Sequence, residues 1–264
     1  MNGGILNSIA DGLRPALAAE KLRLPLIRLA GLCGELPPVR RDFIGALRRA
    51  DGKIAVIGEL KRASPSKGII RLELDVPVLA KNLEAAGAAA LSVLTEPNRF
   101  LGSRDNLLAA SDAVSIPVLR KDFIFDPYQI YQSRLFGADA VLLIAAMLSD
   151  GDLRFLRELA ESLGMAALVE AHSELEAERA LASGAKVVGV NARDLRDFST
   201  DPDDALAIIA KLPATVVRVA ESAIRDASGL RAARSAGADA ALIGETLMRA
   251  ADPGAVLKAL YENR

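Results

Sequence analysis

Two rhythms of apolar and polar positions run along this chain. From Lys53 onward, short apolar runs recur at 54–60, 90–94, 117–119, 140–144, 166–169, 187–190, 215–219 and 240–243. Runs of this length read as buried strands. Between them lie longer stretches with helical spacing, such as 150–163, where Leu153, Leu156, Leu159 and Leu163 recur every three or four residues. Eight strand–helix units over about 210 residues match the size of a closed (β/α)8 barrel. An open doubly wound sheet would also alternate, but no G-x-G-x-x-G fingerprint follows the first run, and the barrel is the better reading.

A repeat supports that count. Gly87-Ala88, Gly137-Ala138, Gly184-Ala185 and Gly237-Ala238 precede the second, fourth, sixth and eighth runs, at intervals of 50, 47 and 53 residues. Glycine suits the left-handed turn that ends a helix, and alanine permits close packing where the strand begins. A period of two units fits a barrel whose interior layers come from alternate strands.

Residues 1–50 keep the other rhythm. Ile5, Ile9, Leu13 and Leu17 are spaced four apart, an amphipathic helical stripe that Pro15 is expected to interrupt. Pro25, Pro37 and Pro38 punctuate the next two dozen residues, and Phe43–Leu47 predicts one more short helix. The expected organisation is a single structural domain, with an N-terminal helical extension (1–50) packed on a barrel (51–264). The extension is either an added packing layer or a lid over the site.

Composition narrows the function. Hydrophobic residues make up 51% of the 264 positions, enough for a large core. With 33 basic against 34 acidic residues and a net charge of −1, neither nucleic acid nor an anionic membrane is an expected partner. Cys33 is the single cysteine; it excludes an internal disulfide, fits a reducing compartment and reads as buried rather than reactive. His172 is the single histidine, which argues against a histidine triad or a multi-histidine metal site and reads as a structural or rim residue. No run is long enough to span a bilayer and no secretory pattern is visible, so a cytoplasmic location is expected.

Parallel barrels present their chemistry at the C-terminal ends of the strands. Here the first run ends in Glu59 and Lys61, which a period of two places on one side. Later ends carry Thr95-Glu96, Arg120-Lys121-Asp122, Glu170-Ala171-His172, Asn191-Ala192-Arg193, Glu221-Ser222 and Gly244-Glu245. Lys121 is a candidate general acid, on the expectation that neighbouring cations loosen its proton; otherwise it is a solvated lysine in a charge cluster. Glu170 comes after an apolar run, so a raised pKa and work as a base are expected; otherwise it is a structural partner of Lys121 or Lys61. Ser222-Ala223 and Gly244-Glu245, before a short helix expected at 246–250, offer free backbone N–H groups for a phosphate.

These segments resemble the indole-3-glycerol phosphate synthase family. The resemblance runs in register from about Arg41 to Leu247 and is carried by ELKRASPSKG at 59–68, LSVLTE at 91–96, LRKDFI at 119–124, LVE at 168–170, GVNARDL at 189–195 and AES at 220–222. It implies a carboxy-lyase of tryptophan biosynthesis that converts 1-(2-carboxyphenylamino)-1-deoxyribulose 5-phosphate to indole-3-glycerol phosphate, releasing carbon dioxide and water. It further implies Lys121 as the acid of ring closure, Glu170 as the base of dehydration and Lys61 as a participating acid or electrostatic partner, with Glu59 and Asn191 orienting them. Ser64, Arg193 and Glu221 would bind the substrate, and Ser222, Ala223, Gly244 and Glu245 its phosphate. The chemistry asks for no metal or cofactor. The expected partner is this phosphosugar–anthranilate substrate, with the chain a monomer or weak homo-oligomer. Other phosphosugar barrels, isomerases or epimerases, would share the cradle but not the Lys61, Lys121 and Glu170 combination; a non-catalytic phosphate-binding scaffold would not need it. Three departures stand out, the first being a weak match over the N-terminal extension, onto which no lid role is carried. Ala223 replaces an expected glycine and disfavours positive φ, so Ala223→Gly is expected to preserve or tighten phosphate binding. Ala192 sits where a polar residue is common, at a position that alternates away from its neighbours.

Overall fold

The computed structural model describes residues 5–39, 41–48, 52–193, 200–222 and 224–262. Three helices open the chain: α1 (Ile5–Arg23), α2 (Leu26–Glu35) and α3 (Phe43–Leu47). Next come β1 (Ala55–Leu60), the short strands β2 (Ala63–Ser64) and β3 (Gly68–Ile69), α4 (Val76–Ala85), β4 (Ala90–Leu94), α5 (Arg104–Ala113), β5 (Val118–Lys121), α6 (Pro127–Leu135), β6 (Ala140–Ile144) and α7 (Asp150–Ser162). The second half comprises β7 (Ala166–Ala171), α8 (Glu174–Ala182), β8 (Val187–Asn191), α9 (Pro202–Lys211), β9 (Val217–Glu221), α10 (Ala227–Ser235), β10 (Ala240–Ile243), α11 (Glu245–Arg249) and α12 (Pro253–Glu262). Eight strands pair in parallel around a closed barrel in the order β1-β10-β9-β8-β7-β6-β5-β4, and β4 returns to β1. The fold is a TIM barrel. β2 and β3 form an antiparallel hairpin in the loop after β1.

Strand periodicity sorts the core into two parts. Ala55, Ile57, Ala90, Leu119, Leu142, Leu168, Val187, Val219 and Leu242 form an inner cluster. Their neighbours Val56, Leu91, Val118, Val141, Val169, Val188, Ala220 and Ala241 belong to an outer cluster packed on the helices. Successive side chains on a strand point to opposite faces. The inner set continues by parity to Glu59, Lys121, Glu170, Asn191 and Glu221 at the strand ends.

Helix boundaries have local causes. Asp75, Ser103, Asp126, Ser149, Ser173, Asp201 and Asp226 each accept a backbone N–H at the start of α4 through α10, a cap worth about 1 kcal/mol. Gly87, Gly137, Gly184 and Gly237, the repeated glycines, all adopt positive φ, where the chain leaves a helix for the next strand.

Pro15 does not break its helix. α1 continues through it to Arg23, because Pro15 and Asp11, whose carbonyl loses its partner, lie on the exposed face while Leu6, Ile9 and Leu17 are buried. On that face the freed carbonyl is open to solvent, and packing on both sides of the proline holds the helix. The end of α1 docks on the barrel helices: Tyr128 Oη donates to the Leu24 carbonyl at 2.9 Å, Arg104 clasps the Glu20 carboxylate and Lys21 pairs with Asp126. α3 packs against β1 and β4. No described helix is long and apolar enough to cross a membrane.

Candidate active site

The strand ends and the loops beyond them enclose a cavity of about 450 Å³. Glu59, Lys61, Ser64, Lys121, Glu170, Asn191, Arg193, Glu221, Ser222, Gly244 and Glu245 all line it, so the structure brings together every candidate residue of the sequence reading that it describes. Ala223 lies outside the described residues. Leu94, Phe100, Phe123, Leu142, Ile144 and Leu242 add an apolar wall.

Lys121 stands at the centre. Its Nζ lies 2.7 Å from Glu170 Oε2 and 2.5 Å from Glu221 Oε2. The side chains of both carboxylates are 1% exposed, so these are buried ion pairs whose charges must be met inside the protein. Burial alone would loosen the Lys121 proton, but Glu170, Glu221 and Glu59 outweigh it and raise its pKa above the ordinary lysine value. This corrects the expectation that neighbouring cations loosen the proton. Arg120 points away by strand alternation and is engaged outside the barrel by Asp122, Thr95 and Ser133. The Arg120-Lys121-Asp122 triplet is therefore no common cluster.

The two carboxylates differ. Burial pushes Glu170 up, yet Lys121 and His172 prevail and hold it below the usual carboxylate range. The expectation of a raised pKa at Glu170 is thereby corrected. Among the described residues Glu221 has Lys121 but no second cation beside it, and its Oε1 is buried without a hydrogen bond. Burial pushes its pKa up to about 8, with the Glu170 charge reinforcing that shift and Lys121 opposing it. Space for Glu221 comes from Gly189 on β8, where a Cβ would overlap Oε1.

The first strand end carries a second pair. Lys61 Nζ is 2.5 Å from Glu59 Oε2, the same-side placement that the period of two predicts. Gly244, across the barrel seam from β1, leaves room for both, since a Cβ there would overlap Glu59. Asn191 Oδ1 accepts the Arg193 backbone N–H at 3.0 Å, and Arg193 reaches Ser66 Oγ at 2.6 Å. Ala192 turns to the outer core as alternation requires.

At the other pole, Ser222 has φ 66° and turns the backbone sharply after β9. Gly244 begins α11 without a side-chain cap. Glu245 holds its carboxylate on Arg249 at 3.0 Å and faces Lys67 at 3.9 Å; although burial opposes it, the Arg249 and Lys67 charges keep Glu245 below the usual range. Sequence reasoning assigned no role to Lys67, Arg225 or Arg249, which also line this end. Thr95 and Glu96, counted among the strand-end groups, do not line the cavity: Glu96 instead accepts the N–H groups of Asn98, Arg99 and Phe100 in its own loop. Among the described residues no cluster of three or more His, Cys, Asp or Glu is placed to hold a metal ion.

Known proteins resemble this chain along most of its length. The profile of the indole-3-glycerol phosphate synthase family matches residues 6–260. Indole-3-glycerol phosphate synthase of Mycobacterium avium is 47% identical over 253 residues, 96% of this chain and 92% of the relative. That of Mycobacteroides abscessus is 48% identical over 256 residues, 97% and 93% of the two chains. That of Carboxydothermus hydrogenoformans is 51% identical over 212 residues, 80% of each. Among solved structures, 3-hexulose-6-phosphate synthase from Salmonella typhimurium superposes with a TM-score of 0.65 at 15% identity, covering 78% of this chain and 96% of that one. That likeness concerns the fold alone. By the match along nearly its whole length, the chain belongs to the indole-3-glycerol phosphate synthase family.

Proposed function

We infer that this protein closes the indole ring of indole-3-glycerol phosphate from 1-(2-carboxyphenylamino)-1-deoxyribulose 5-phosphate. The observation that carries the reading is the Lys121 ammonium, held between Glu170 and Glu221 at the centre of a cavity with one apolar wall. The apolar wall suits the aryl ring. The polar turn at Ser222, the backbone at Gly244 and Glu245, and the Lys67 ammonium suit the phosphate at the other end. Arg193 and Ser64 are within the same lining and suit the carboxylate or the sugar hydroxyls.

The aryl carbon is a weak nucleophile, so the ribulose carbonyl must be activated as the bond forms. Lys121 is loaded with its proton throughout the neutral range, and the developing alkoxide is basic enough to take it. Loss of carbon dioxide restores aromaticity. Glu170, adjacent to Lys121, then removes a substrate proton, while Lys61 donates to the departing hydroxyl, which leaves as water. A carboxylate leaves as neutral carbon dioxide, so turnover takes up one proton overall. Glu221 shares the Lys121 ammonium and helps to hold it in place. The balanced charge favours a small-molecule partner over nucleic acid, with the chain acting as a monomer or weak homo-oligomer in the cytoplasm.

The chain has no Trp, so indole product is read directly by its fluorescence. Wild-type protein mixed with the substrate is expected to develop indole emission. Lys121→Ala should lower the rate by about 10²–10⁴-fold, the range of a lost general acid. No indole from correctly folded wild-type protein would overturn the reading.

A further inference from the structure

The single histidine of the chain stands two residues beyond Glu170, with its side chain buried. His172 Nδ1 lies 2.9 Å from the backbone oxygen of Asn191. A carbonyl oxygen only accepts, so Nδ1 carries a hydrogen. A neutral ring then presents a lone pair at Nε2, and that atom faces Glu170 Oε1 at 3.4 Å. Two acceptors opposed in a buried site repel each other, and neither can turn to water. One proton between them, carried on the ring, removes the conflict and leaves the carboxylate ionised. Nε2 and Oε1 thus form a unit that holds a proton, while Oε2 of the same carboxylate is given to Lys121.

We propose that His172 is a positioning residue that commits Glu170 Oε1 through this shared proton, aims Oε2 at Lys121 and the cavity, and thereby sets the pH range over which Glu170 serves as base. The inference rests on the reading of Glu170 as that base. Among the described residues, the charged groups around the unit come from several elements: Lys121 from β5, Glu221 from β9 and, acting on Lys121, Glu59 from β1. On the far side, α8 supplies Glu176, whose Oε2 accepts the His172 backbone N–H at 2.8 Å. β8 supplies the Asn191 carbonyl that fixes the tautomer.

Because the chain has one histidine, long-range ¹H–¹⁵N correlation of labelled protein reports His172 without assignment. The ring is expected to be protonated at Nδ1 at every pH, and to retain its second proton to a pH about one unit or more higher in the wild type than in Glu170→Gln. In turnover, His172→Leu should lower kcat by about tenfold or more with KM within about twofold, and displace a limb of the kcat–pH profile. His172→Gln, which keeps a donor, should recover part of kcat. A neutral ring protonated at Nε2 in the wild type would overturn the proposal, as would a ring titration identical in Glu170→Gln. Turnover that survives in Glu170→Gln would instead overturn the base reading and the catalytic half of the inference; the ring titration would still test the pairing on its own. The decisive spectra come from wild type and Glu170→Gln, so a folding failure of the leucine variant would not mask the result.

Discussion

One ammonium stands between two buried carboxylates at the centre of the site, and burial, reinforced by the Glu170 charge, makes Glu221 the carboxylate of the two whose pKa is raised, to about 8. A raised carboxyl pKa means that the folded state binds a proton the unfolded chain releases. Its contribution is fully present below the ordinary value of 4.5 and is lost as pH rises through about 8. Glu170 is shifted downward, so its contribution is lost only on acidification below the ordinary carboxylate range, and that of Lys121 only at strongly basic pH. The window from about 4.5 to 8 therefore belongs to Glu221 within this triad. Urea midpoints measured across it should fall with rising pH in wild type, and the fall should be smaller in Glu221→Gln. Equal slopes would place the proton elsewhere. Gly189→Ala tests the same carboxylate from behind: the added methyl displaces Oε1 and should lower kcat while costing about 1–3 kcal/mol of stability, as overpacking does. The same-side placement of Glu59 and Lys61 was legible from strand period alone. The charge states were not, because they depend on partners from β5, β7 and β9, 49 and 100 positions apart along the chain. His172 was legible in one respect only, since a position two beyond Glu170 shares its parity.

At the scale of elements, side-chain clamps hold the barrel where hydrogen bonding along strands does not reach. Arg41, ahead of α3, donates to the Ser111 and Gly137 carbonyls at 2.9 and 3.0 Å and pairs with Asp139 at 2.8 Å. It joins the end of α5 to the turn before β6. The Asp139 side chain is 4% exposed, so Arg41→Ala strands a buried carboxylate, a loss of about 3–5 kcal/mol. Chemical denaturation should show that loss while kcat of the remaining folded enzyme stays near wild type, because Arg41 does not line the catalytic cavity. Most element boundaries were readable: apolar runs marked all eight barrel strands, and the Gly-Ala pairs marked helix ends. Pro15 was not, because a proline rule says what a helix loses, not which face loses it. Here the loss falls on the solvent side.

For the whole molecule, alternation along eight strands does two jobs at once. Inward apolar residues fill the lower barrel, and the next inward positions become Glu59, Lys121, Glu170, Asn191 and Glu221 at the mouth. Such a layered count is visible in sequence because each strand contributes the same parity. Which mouth residues share a proton is a property of closure, and only the closed barrel brings β5, β7 and β9 onto one ammonium. In the proposed reaction Lys121 and Glu170 divide the labour at that point, Lys121 serving ring closure and Glu170 the later dehydration. Single-turnover mixing that tracks carbon dioxide release and indole emission together tests this division most directly. Lys121→Ala should release neither product at an appreciable rate, whereas Glu170→Gln should release close to one equivalent of carbon dioxide with little indole. A Glu170→Gln variant that withholds carbon dioxide as completely as Lys121→Ala would contradict the account.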